Sequence, residues 1–201
     1  GGAEKTGLII QMGYWALEQA CKQIQIWEQN GSNYFPLAVN LSAVQFEHKH
    51  LFTTLEKLFA QYQINPNHLA IEITESTAMH HVDSTIRCFE QLRQMGIKLA
   101  IDDFGTGHSS FLYLKNLPVD ELKIDREFIR DLAVGSKDEM ILESIIQLAI
   151  KLGLVVTAEG VETPLQADIL TRLGCQQLQG FLLGMPMDVN RLEKMDKALF
   201  T

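Results

Sequence analysis

Six short runs rich in aliphatic and β-branched residues alternate along this chain with longer stretches of helical periodicity, and most of the runs end in a polar or charged side chain. The pattern predicts strands over 35–41, 69–74, 98–104, 121–125, 154–159 and 176–182. It predicts helices over 8–28, 51–62, 85–95, 110–116, 138–152, 164–173 and near 189–198. Strand–helix alternation of this kind builds parallel βαβ units. An open doubly wound sheet and a closed barrel both satisfy it. The polar strand ends separate them: Asn40, Glu72, Asp102, Asp103, Lys123, Glu159 and Gln179 recur on nearly every strand. An open sheet gathers its ligands at one switch point, whereas a ring lets each strand aim a side chain at one central site. The distribution favours a single α/β domain over residues 1–201, a TIM-like (β/α) barrel with about six of its eight strands present. The two others are expected before residue 1, which leaves strand edges at 35–41 and 176–182 open to pairing with another chain.

Several function classes fall away. The formal net charge is −8, which disfavours a nucleic-acid polymer as partner. The apolar stretch 141–158 is interrupted by Glu143, Gln147 and Lys151, so no membrane contact is expected of this domain. With no signal peptide in view, a cytoplasmic setting is expected. Cys21, Cys88 and Cys175 form no CxxC pair and read as buried or free thiols. Trp15 and Trp27 read as packing residues of the first helix, and His80 and His81 as solvated side chains.

Glu72, Asp102, Asp103 and Glu159 would converge in one barrel mouth, with Asn40 beside them. Like charges so close repel, and Lys123 supplies too little compensation, so bound divalent metal is the natural remedy. Oxygen donors without sulfur or imidazole suit Mg²⁺ or Mn²⁺. Neighbouring residues of a regular strand point to opposite faces. Asp102 and Asp103 can therefore both reach the site only where the strand ends irregularly, and Gly105-Thr106-Gly107 supplies that backbone. One carboxylate could then bridge two ions about 3.5–4 Å apart, which activate a water and hold phosphate oxygens for in-line displacement. Lys123 could stabilise the hydroxide or the charge developing on phosphorus. The residues after Phe104 lack the P-loop pattern. A Schiff-base role for Lys123 is opposed by the surrounding acids, which would keep it protonated.

The order and spacing of the motifs resemble the EAL domains of bacterial cyclic-di-GMP signalling. The pieces are Val39-Asn40-Leu41-Ser42, Glu72-Ile73-Thr74-Glu75-Ser76, Asp102-Asp103-Phe104-Gly105-Thr106-Gly107, Leu122-Lys123-Ile124-Asp125, Ala158-Glu159-Gly160-Val161-Glu162 and Gln179-Gly180-Phe181. The resemblance implies hydrolysis of cyclic-di-GMP to linear pGpG with two divalent ions, Mg²⁺ or Mn²⁺. Asn40, Glu72 and Asp102 correspond to ligands of one ion, and Asp102 and Asp103 to ligands of the second. Lys123 and Glu159 would contact or orient the attacking water, with Glu162 and Gln179 completing the site. Glu75 corresponds to the anchor of the flexible loop Asp103 to Ser110, with Phe104, Gly105, Thr106 and Gly107 in it. A homodimer, and a sensor or GGDEF domain upstream, are the partners it implies. The chain departs from the family in three places: no Glu-Ala-Leu motif precedes Ala3, His108 stands where tyrosine is usual, and Met185 stands where a basic residue is common. The first departure leaves a second expectation open, an EAL-type module that binds cyclic-di-GMP or a protein without cleaving.

Overall fold

A computed structural model of the chain describes residues 7–32, 36–80, 82–105 and 111–199. Six strands form one sheet: β1 (Leu37–Asn40), β2 (Leu69–Thr74), β3 (Lys98–Phe104), β4 (Glu121–Ile124), β5 (Val155–Ala158) and β6 (Gln177–Leu178). They lie side by side in sequence order, each pair parallel. A doubly wound sheet reverses its order at a switch point. This sheet does not, and it is an α/β arc of a TIM-like barrel.

Alternation along the strands divides their side chains into two sets. Leu69, Ile71 and Ile73 of β2, Leu99 and Ile101 of β3, Leu122 and Ile124 of β4, and Val156 and Ala158 of β5 belong to the apolar core. The intervening positions carry Glu72, Asp102, Lys123 and Thr157, all buried. The strand pattern therefore builds a greasy face for helices and a polar face for chemistry from one periodicity.

The helices cover the apolar face with stripes at helical spacing. Helix α1 (Leu8–Asn30) buries Leu17, Ala20, Cys21, Ile24 and Trp27. After the short α2 (Ala43–Phe46), α3 (Leu51–Tyr62) buries Leu51, Leu55, Leu58 and Tyr62. Next come α4 (Glu75–His80), α5 (Val82–Gln94), α6 (Phe111–Leu114) and α7 (Glu127–Arg130). Helix α8 (Lys137–Lys151) buries Leu142, Ile145, Ile146 and Ala149. Helices α9 (Pro164–Leu173) and α10 (Val189–Leu199) end the series.

Three expectations need correction. Trp15 is 64% exposed and is not a packing residue, whereas Trp27 is buried and its Nε1 donates to Glu193 Oε1 at 2.9 Å. Helix α5 starts at Val82 instead of residue 85. Strand β6 is two residues long instead of seven, because the chain turns at Gly180, whose carbonyl accepts from Leu183 N and Gly184 N. The expectation of solvated histidines at 80 and 81 falls on side chains outside those described.

Gly180 is required by close approach. A Cβ there would sit 2.2 and 2.3 Å from the backbone O and N of Val161. Those atoms are committed, Val161 N to Gln179 O and Val161 O to Leu182 N, at 3.0 Å each. Gly180→Ala should cost about 3 kcal/mol in urea denaturation, because backbone rather than a flexible side chain must yield. Gly184→Ala, where a Cβ would meet Met187 Cε at an ordinary 3.8 Å, should stay within about 0.5 kcal/mol of wild type. Equal losses would contradict the packing argument.

Candidate active site

Lys123, central in β4, is the hub. Its Nζ lies 2.9 Å from Glu72 Oε1, 3.7 Å from Asp102 Oδ1 and 2.6 Å from Glu159 Oε1. These partners come from β2, from β3 and from the residue just beyond β5. The Cα register aligns Asn40 with Glu72 across β1 and β2, and Asn40 Nδ2 donates to Glu72 Oε2 at 3.0 Å. Lys123 and Glu72 are each only 6% exposed.

Burial works to lower the Lys123 pKa, but hydrogen bonds to Glu159 and Glu72 overcome it and hold the ammonium above its ordinary range. Burial raises the pKa of Glu72, with Lys123 opposing and Asp102 and Glu121 adding to the rise. Glu159 is raised the same way, first by burial and further by Asp102 and Glu72. Burial is the main obstacle to their ionisation, and three carboxylates gathered around one ammonium add to it. A lysine held in its charged form is a poor nucleophile toward a carbonyl, which argues against the Schiff-base reading.

Asp102 and Asp103 are brought to one side by a break in the strand. The β3–β4 register shifts between Ile101 and Phe104, and Asp103 takes φ 53°, left-handed backbone rare for a residue with a Cβ. One carboxylate oxygen from each of Asp102, Asp103 and Glu159 lies within 4.8 Å of the others. Asp103 is raised by burial, by the neighbouring charges of Asp102 and Asp125, and by a side-chain hydrogen bond with Asp125. Just beyond, Gly105 N donates to Glu75 Oε2 at 2.8 Å. Glu75 is 1% exposed, and its Oε1 has no hydrogen-bond partner among the described residues. Gly105 itself has φ +101°, and a Cβ there would fall 2.1 Å from the Phe128 ring. Thr106, Gly107 and His108 lie outside the described residues.

A cavity of about 420 Å³ opens beside this cluster, lined by Asp103, Asp125, Arg126, Glu159, Gly160, Glu162, Gln179, Gly180 and Phe181. Glu162 and Gln179 therefore share its wall with Asp103 and Glu159, while Asn40, Glu72, Asp102 and Lys123 form the adjoining network. The backbone of Gln179 brackets the site: its N–H donates to Ala158 O at 2.8 Å and its carbonyl accepts from Val161 N. Asp125 and Arg126 were not among the residues expected from strand ends. Alternation from Lys123 puts Asp125 on the same strand face, a signal present in the sequence. Cys21 and Cys88 are not nucleophile candidates, since burial pushes both thiols up to about 12.

Apart from the Lys123 ammonium, which cannot ligate a cation, the side chains of the network offer carboxylate or amide oxygens, and Asp102, Asp103 and Glu159 lie close enough to share an ion with oxygen ligands at about 2.0–2.6 Å. The donor set fits a hard divalent cation.

The profile of the EAL domain matches residues 2–186. The chain belongs to the EAL domain family. The bifunctional diguanylate cyclase/cyclic di-GMP phosphodiesterase MucR of Pseudomonas aeruginosa is 51% identical over 190 residues, covering 94% of this chain and 28% of MucR. The cyclic di-GMP phosphodiesterase NbdA of the same organism is 39% identical over 198 residues, covering 98% of this chain and 25% of NbdA. This chain thus spans about a quarter of the length of these curated relatives. A MucR phosphodiesterase structure in complex with c-di-GMP superposes with a TM-score of 0.88, covering 94% of this chain and 83% of that one. A Klebsiella pneumoniae BlrP1 manganese/cyclic-di-GMP complex, 31% identical, superposes with a TM-score of 0.73 over 84% of this EAL domain and 43% of that chain.

Lys123→Ala would leave buried carboxylates without their ammonium. In chelator, the variant of this EAL domain should lose about 3 kcal/mol of unfolding free energy. Carboxylates whose folded pKa lies above the unfolded value contribute stability at low pH and lose it as pH rises through the folded pKa. The deficit should therefore be larger at about pH 8 than at about pH 5. Urea titrations of both proteins at the two pH values read it, and a deficit independent of pH would contradict this account of the site.

Proposed function

We propose that this EAL domain hydrolyses cyclic-di-GMP to linear pGpG with the help of two divalent ions, Mg²⁺ or Mn²⁺. The observation that carries the reading is the meeting of Asp102, Asp103 and Glu159 within 4.8 Å beside the buried Lys123. The names of the relatives support the substrate, and the manganese/cyclic-di-GMP complex of BlrP1 supports the class of ion.

Asn40, Glu72 and Asp102 would hold one ion, and Asp102 and Asp103 the other, with Glu159 in reach. When bound, such ions supply Lewis-acid polarisation of the phosphoryl group and a water acidified to a nucleophile. Lys123, fixed by Glu72 and Glu159, donates a hydrogen bond toward the attacking oxygen and the charge developing on phosphorus. Glu159 accepts from the same water and orients it. Water adds across one P–O bond, that bond breaks, and the ring opens to the linear dinucleotide. Glu162 and Gln179 complete the wall of the cavity in which the phosphodiester lies. Glu75 holds the start of the loop after β3 through Gly105 N. A homodimer and a sensor or GGDEF domain elsewhere in the protein belong to the same proposal, and the much greater length of the relatives favours further domains.

Chromatography of cyclic-di-GMP incubated with the chain and Mn²⁺ should show pGpG, and chelator should abolish it. Lys123→Ala should lower kcat roughly 10²–10³-fold, the scale of one lost transition-state donor. If the chain binds both Mn²⁺ and cyclic-di-GMP in calorimetry yet yields no pGpG, the binding-module reading replaces the enzyme.

A further inference from the structure

We propose that Gln166 is a positioning residue that holds the segment 159–162, with its site carboxylates, at its distance from the β4–α7 turn; the inference rests on the metal-dependent reading above. Gln166 occupies the third position of α9, where with Thr163 it forms a capping box. A capping box needs the glutamine only to accept from the N-cap backbone N–H. Gln166 does more. Its Oε1 accepts from Thr163 N at 2.9 Å and also from Glu162 N at 2.8 Å. Its Nε2 donates to Ile129 O at 2.9 Å and to Arg130 O at 3.3 Å.

The side chain is buried, so these bonds are made away from water. Both amide hydrogens and both lone-pair directions are in use. The carbonyls it satisfies belong to the end of α7, which follows directly on Lys123, Asp125 and Arg126. The N–H groups it satisfies belong to the segment that starts at Glu159. One amide thus ties the cavity-wall segment at Glu162 to the end of α7, the helix that follows the wall residues Asp125 and Arg126, and it does so through backbone atoms only, bonding no side-chain carboxylate of the cavity. Glutamate is the same length but cannot donate, so it would face two carbonyl oxygens. Asparagine is too short to span the gap. Groups that hydrogen-bond a ligand directly typically affect metal affinity or activity 10–100-fold; Gln166 acts from further back, through the backbone after Glu159, so the low end of that range is expected.

The test uses this chain with Gln166→Glu and Gln166→Ala. Gln25→Ala serves as control, since Gln25 Nε2 donates to Tyr62 O at 2.7 Å between α1 and the end of α3. Mn²⁺ binding is followed by the electron paramagnetic resonance signal of unbound Mn²⁺, and the activating Mn²⁺ concentration by turnover of cyclic-di-GMP. Backbone hydrogen exchange is read on peptides covering 159–163. Both Gln166 variants should need about ten times more Mn²⁺ for half-saturation and exchange faster in that segment, while Gln25→Ala changes neither. Half-saturation rises as the inverse of the folded fraction, so the titrations are run where melting curves show each variant to be at least about nine-tenths folded, and a general loss of stability then moves it by only about a tenth. An unchanged Mn²⁺ requirement in both variants overturns the proposal even if their melting temperatures fall. A wild-type chain that binds no Mn²⁺ overturns the metal-dependent reading instead. In that case hydrogen exchange decides Gln166 alone, and unaltered exchange in 159–163 overturns its holding role too.

Discussion

A buried ammonium among buried carboxylates sets the terms for the rest of this domain. Neither partner tolerates burial without the other: an unpaired ammonium would shed its proton, and unpaired carboxylates would take protons up. Lys123 is the shared counterion through which β2, β3 and the end of β5 are electrically tied. The pairing is incomplete by charge, because one ammonium faces Glu72, Asp102 and Glu159, and Asp103 stands beside the last two; burial makes Glu72, Asp103 and Glu159 harder to ionise than ordinary carboxylates. That residual imbalance is what the divalent ions of the proposed function would relieve. Excess negative charge is retained where a hard ion with oxygen ligands would discharge it.

The barrel arc is well suited to carrying such a cluster. Parallel strands in sequence order place successive polar positions side by side, while the alternate positions sink into helices. Glu72 thereby sits on rigid backbone held by the ladder on both sides, while Asp102 is in register with Thr74 of β2 and Lys123 with Thr157 of β5. Only Asp103 needs an exception, and the register shift with its left-handed φ provides it. A residue with a Cβ in that conformation costs free energy, of the order of 1–3 kcal/mol where it is strained. Its position at the strand end, where it turns a second aspartate toward the first, gives the exception a purpose.

Much of this was legible in the sequence. Strands β2 and β3 and helix α9 have the bounds that periodicity and end signals indicate, since each is long and two-faced or cleanly capped. The convergence of Asn40, Glu72, Asp102, Lys123 and Glu159 followed from polar residues recurring near strand ends. The short helices α2, α4 and α7 are one to two turns long and leave no period to detect. The truncation of β6 depends on the fit of Gly180 against Val161, a contact between segments that no local pattern encodes. Asp125 was within reach of simple alternation. Gln166 was not, because a glutamine three residues into a helix signals a cap whether or not it also spans to another loop.

That last difference bears on how such sites are built. Strand ends fix where a side chain starts, but the loops beyond them decide how far apart the walls of the cavity stand. Two buried glutamines occupy equivalent places here. Gln45 accepts from Ser42 N at 2.7 Å, just after Asn40, and its Nε2 donates to Ile9 O of α1. Gln166 accepts from Glu162 N and Thr163 N, just after Glu159, and reaches the end of α7. In both cases the residue that caps a helix also moors the loop carrying a site side chain to a neighbouring element. A primary amide suits this task because it donates and accepts at once without bringing charge. Another carboxylate at either place would deepen the negative imbalance around Lys123, and another cation would offset the charge that the proposed ions would balance.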